Sequence, residues 1–155
     1  MLEREGYTFS VKIRHPSWIV TRFTEGMSCE PDYSWSVGEE HRTGSGILLR
    51  LRDKTYWCVS NQVEGKRRFV REFKQILKWL STKKPFLEEV RTAGGRIAVD
   101  IGLRGSANMG DVIEPDDLRL ASELGISLGI EVFPRRTPRE EIRDEELPWT
   151  TIVTD

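Results

Sequence analysis

From Tyr7 to Arg14 the chain alternates strictly, with Tyr7, Phe9, Val11 and Ile13 apolar and Thr8, Ser10, Lys12 and Arg14 polar between them. A period of two sends successive side chains to opposite faces of a strand, so this segment reads as a β-strand with one buried and one wet side. The pattern returns over 96–103, where Ile97, Val99, Ile101 and Leu103 share a face, and over 126–132, where Ile126, Leu128, Ile130 and Val132 should point inward. Sheets covered on both faces read instead as continuous apolar runs, and this sequence has none. The expectation is an α+β fold: a mostly antiparallel sheet with helices packed on one face, a two-layer sandwich.

The helices announce themselves by a different period. Phe69, Phe73, Ile76, Leu77 and Leu80 make one apolar stripe, which predicts a long helix over 66–80. Pro85 breaks or restarts it, and 86–90 can add a short helix ending at Gly94-Gly95. Pro16 ends the first strand and suits a helix start, so a short helix is expected over 17–26, burying Trp18, Ile19 and Phe23. A further helix over 116–124 has acids in its first turn and Gly125 at its C-terminal end.

Between these lie a brief strand at 33–37 and a polar, glycine-rich segment, 38–46, which reads as a loop. A hairpin is then expected, 47–52 pairing with 55–60. A two-residue turn would put Ile47, Leu49 and Leu51 on the face of Tyr56 and Cys58. A three-residue turn at 52–54 places Trp57 and Val59 with them instead, and burying an indole outweighs burying a thiol.

The 155 residues carry 24 bases and 25 acids, a formal net charge of −1, which fits one domain of about 100–200 residues. We assign residues 1–134 to a single α+β domain and 135–155 to a charged tail, with six acids against four arginines. Trp149 to Thr154 is aromatic and β-branched, so an extra strand at 149–154 is expected, with Trp149 and Ile152 docking on the domain or on a neighbouring copy. Two cysteines, Cys29 and Cys58, make no disulfide scaffold. No apolar run approaches the ~20 residues of a membrane helix, and the first residues lack a signal-peptide core. The expectation is a cytoplasmic protein with no membrane contact.

The strand ending His15-Pro16, Pro31, Gly38-Glu39 with Arg42, Trp57, and the closing run from Gly125 to Val132 follow one another in an order that resembles a bacterial family, domain of unknown function 4279. In that family a strand running into such a pair precedes a short helix. A proline then leads to a Gly-Glu and an arginine, and later to a strand tryptophan. The likeness spans about residues 6–133. The family's final strand often carries an aspartate where this chain has Glu131. The resemblance implies a fold; it brings no activity or site residue.

Chemistry is sparse. His41 lies beside Glu39 and Glu40, which could polarise it as the base of a small hydrolase-type enzyme, but no nucleophile motif accompanies it. His15, between a strand and a helix, could cap the turn or face a cleft. Cys29, His41 and Cys58 have no metal-ligand spacing, and the glycine pairs lack phosphate-loop spacing, so neither metal nor cofactor is expected. Across 64–84 eight bases face two acids, and Arg67, Arg71, Lys74 and Lys78 could meet nucleic-acid phosphates. A solvated outer face of an amphipathic helix accounts for them more simply. The open sheet face should carry Thr8, Ser10, Lys12 and Arg14 with Ala98, Asp100 and Gly102, and with Ser127, Gly129 and Glu131. Tyr56, Cys58 and Ser60 join them in the odd-turn register. Lys12, Arg14, Asp100 and Glu131 are therefore the candidate partner-binding residues. The leading expectation is a non-enzymatic protein-interaction domain, with an immunity- or antitoxin-like role, whose partner is another protein or a second copy in a homodimer. Nucleic-acid binding through the basic helix is the alternative.

Overall fold

The structure, a computed structural model, describes residues 5–105 and 108–134. The proposed strand at 149–154 and the docking of Trp149 and Ile152 lie outside the described residues. Strand β1 (Gly6–His15) is followed by helix α1 (Val20–Met27), then β2 (Tyr33–Trp35), β3 (Glu40–Arg42), β4 (Leu48–Leu51) and β5 (Thr55–Glu64). Helices α2 (Val70–Ser81) and α3 (Lys84–Thr92) lead to β6 (Arg96–Gly105), α4 (Pro115–Glu123) and β7 (Ile126–Pro134). The main sheet has five strands in the order β2-β5-β1-β6-β7, and β3 and β4 form a separate two-stranded sheet. Every main-sheet pair is antiparallel except β6–β7, which the α4 crossover makes parallel. This is the expected α+β architecture.

Strand β1 sits at the centre because both its neighbours need its apolar face. Tyr7, Phe9, Val11 and Ile13 are all buried, flanked by Trp57 of β5 and by Ile97, Val99 and Ile101 of β6. Phe23 and Met27 of α1, Phe73, Leu77 and Leu80 of α2, and Leu87 and Val90 of α3 close the core from the helical side.

Several readings need correction. The 66–80 helix begins at Val70, so Arg67 precedes it. The Tyr7 hydroxyl and the Gly110 N–H both donate to the Arg67 carbonyl, which removes it from helical bonding. Asp111 meanwhile accepts the Val70 N–H at 3.0 Å, closing the helix start from another segment. The basic segment 66–84 is accordingly a non-helical lead-in, then α2, then the start of α3.

The expected hairpin between 47–52 and 55–60 does not form. Strand β2 occupies that edge of β5, with Tyr33 opposite Cys58 and Trp35 opposite Tyr56. Strand β4 turns to β3 instead, inside the segment read as a loop, and Gly46 at φ +88° helps close the tip. Trp57 is fully buried as expected, but Ile47, Leu49 and Leu51 are exposed rather than sharing its core.

Along β7, Ile126 is buried, yet Ile130 and Val132 are 62% and 65% exposed. They point to the helical side as expected, and no described helix reaches that half of the edge strand. The remaining boundary changes are small. Helix α1 starts at Val20 rather than 17, and β2 ends at Trp35 rather than 37.

Candidate functional site

The open face follows from the pleat. Because Lys12 pairs with Ala98 and Cys58, and Ser10 with Asp100 and Ser60, every polar residue between the buried ones of β1 shares its face with the same set on its neighbours. The parallel pairing extends this face to Ser127, Gly129 and Glu131. Lys12, Arg14, Asp100 and Glu131 therefore all lie on it. Tyr33 and Trp35, which were not singled out from sequence, join them from β2; only the pairing partner of that short strand could reveal this.

Lys12 and Asp100 form an ion pair on a diagonal between β1 and β6, both partly buried. Gly129 makes room for it, since a Cβ there would lie 2.3 Å from Asp100 Oδ1. Ser10 and Ser60 share a hydrogen bond of 2.9 Å beside the pair. Glu131 stands exposed opposite Gly102 on the edge strand. The middle of the face is therefore held by the Lys12–Asp100 pair and the Ser10–Ser60 bond, with Arg14 and Glu131 toward its margins.

One margin is aromatic and cationic. Trp35 stacks on Tyr56 at 4.5 Å between centroids, the Arg52 guanidinium lies 4.0 Å from the Trp35 ring, and Arg14 lies 5.4 Å from that of Tyr56. Burial, followed by the neighbouring Cys58, raises the Tyr56 hydroxyl above the ordinary tyrosine range, so it stays protonated.

The two histidines take different places. His15 caps: its Nδ1 accepts the N–H groups of Ser17 and Trp18 at 3.1 and 3.0 Å, and its ring stacks on Trp18 at 4.5 Å. Burial lowers its pKa and the Arg22 guanidinium lowers it further, so the ring is neutral with its proton on Nε2. His41 sits in β3 opposite Arg50. Glu39 accepts the Ser36 N–H at 2.9 Å and Glu40 pairs with Arg42, so both acids are engaged away from His41.

The basic stripe is partly neutralised. Lys74 pairs with Asp117 at 3.4 Å, Lys66 with Glu72 at 2.6 Å, and Arg67 lies 4.0 Å from Glu5. Arg71 and Lys78 point to solvent from α2.

The two-stranded sheet adjoins the Trp35–Tyr56 margin of the open face, where Arg50 and Arg52 line one cavity with Arg14, Trp35 and Tyr56. Its β4 strand exposes Leu48, Leu49 and Leu51, with Ile47 beside them, and Arg42 and Arg50 lie among these apolar groups. Among the described residues, no helix is long and apolar enough to cross a membrane. A family model described as Domain of unknown function (DUF4279) matches residues 7–133. No curated protein and no solved structure matches the chain.

Proposed function

The chain belongs to the DUF4279 family, and from that footing we propose that it is a protein-interaction domain that acts by covering a partner rather than by chemistry of its own. The observation that carries this reading is the β3–β4 arm, where Ile47, Leu48, Leu49 and Leu51 are 47–63% exposed. Apolar side chains clustered on one short arm are a mark of association, because water is otherwise left against that surface. The arm joins β5 through Arg52, Asp53 and Lys54, next to the open face, so one partner can engage both. Arg50 and Arg52 beside the leucines favour a partner with an apolar groove and an acidic rim. An immunity- or antitoxin-like role is the specific form we favour.

The test is co-purification from the native host with three baits: the unmodified protein, Leu49→Glu/Leu51→Glu, and Lys78→Gln. One stoichiometric protein retained by the first and third baits and lost by the second supports the reading. Equal recovery by all three, or recovery of nucleic acid alone, overturns it.

A further inference from the structure

The end of the sheet where β1 stops brings together charges that ordinary strand pairing avoids. The register sets Arg14 directly opposite Arg96. Facing residues in an antiparallel pair have Cβ atoms about 4.5–5.5 Å apart, and like charges there oppose folding. Lys54 joins them on the wall of a 380 Å³ cavity completed by His15, Pro16 and Gly94. Among the described residues none of Arg14, Lys54 and Arg96 makes an ion pair, whereas Lys12, Lys66 and Lys74 all do.

Three cations on the wall of one cavity, without a counter-charge among the described residues, are the complement of a multiply charged anion. We propose that this cavity binds the phosphoryl group of a small phosphorylated molecule. Arginine's planar fork matches phosphate oxygens two at a time, and the lysine adds a point charge. The cavity falls within the ~300–1,000 Å³ typical of small-molecule sites, so it has room for more than a bare phosphate. The adjoining 190 Å³ cavity shares Arg14 and Lys54 and adds Arg50 and Arg52, with Asp53 as its acid. A nucleic-acid strand fits less well. Binding single strands relies on free aromatic faces, and the Trp35 ring here stacks on Tyr56 and carries the Arg52 guanidinium.

Isothermal titration of the full chain with inorganic pyrophosphate, at ionic strength held constant with sodium chloride, tests this directly. Saturable binding is expected, weakened about tenfold or more in Arg96→Gln because a charge-assisted pair of hydrogen bonds is lost. Arg71→Gln, on the helical side, should bind as the unmodified protein does. Arg96→Gln should also raise the unfolding midpoint of the ligand-free protein, since the opposed charge is gone; Arg14→Gln provides the same two readouts. A single-stranded oligonucleotide titrated in parallel separates the sources of phosphate. No binding of pyrophosphate, binding unchanged by both substitutions, or binding of the oligonucleotide alone overturns the proposal.

Discussion

Mild acid should destabilise this protein through one residue, His15. Its Nδ1 holds the backbone N–H groups of Ser17 and Trp18, and the ring is 1% exposed, stacked on Trp18. Protonation must place a hydrogen on Nδ1, which breaks both bonds and sets the new N–H against two donors. At about 1 kcal/mol net per hydrogen bond, the charged ring costs the fold roughly 2 kcal/mol. Arg22, its guanidinium over Trp18 at 3.4 Å from the ring centroid, adds charge repulsion. The folded pKa lies below the unfolded value of 6.5, so between the two the unfolded chain binds more protons. Stability is then full above about pH 7.5 and falls as the pH drops through 6.5 toward the lowered folded value, with a slope of at most about 1.4 kcal/mol per pH unit. The assay is urea unfolding at half-unit steps from pH 8 to 5. His15→Asn retains an oxygen that can accept the same N–H groups but loses ring packing, so it should be less stable by about 2 kcal/mol at pH 8 and lose the slope between pH 7 and 5. An unmodified protein flat over that interval, or a variant with the same slope, would refute the reasoning.

Asp111 accepts the N–H groups of Val70 and Val112 at 3.0 and 2.9 Å, and these bonds hold its carboxyl below the usual range. Asp111→Ala should cost about 1 kcal/mol in urea unfolding at pH 7, and only the unmodified protein should lose that contribution as pH falls below 3.8 through the lowered folded pKa. Leu49→Glu/Leu51→Glu should leave the urea midpoint within the equivalent of about 0.5 kcal/mol per site, whereas Trp57→Ala should cost about 3–5 kcal/mol. Gly129→Ala should destabilise the unmodified protein by forcing Asp100 off Lys12. In an Asp100→Ala background, where the 2.3 Å clash is gone, the same change should stabilise by about 0.5–1 kcal/mol; thermal melts of the four proteins decide it.

What the sequence determines by itself is parity. The pleat alternates side chains whatever the neighbours are, so the period of two in β1, β6 and β7 sufficed to put Lys12, Arg14, Asp100 and Glu131 on one face. Capping by His15 is one of two readings open in the sequence, the other being a cleft-facing ring, and it can be weighed there because its bonds reach only two and three residues along the chain. Pairing and cover belong to the tertiary structure. Strand β4 reads as apolar enough for the core, but β2 holds the β5 edge, so Leu49 and Leu51 remain in water. Helix α2 starts late because Tyr7, sixty residues earlier, binds the Arg67 carbonyl. Ile130 and Val132 keep their predicted side yet stay exposed, since alternation fixes direction and burial needs something overhead. Arg14 and Arg96 are each ordinary polar strand positions; only register makes them opposed charges. Periodicity is a local property of covalent geometry, whereas contact between distant segments depends on which of several competing partners buries the most surface and satisfies the most backbone groups.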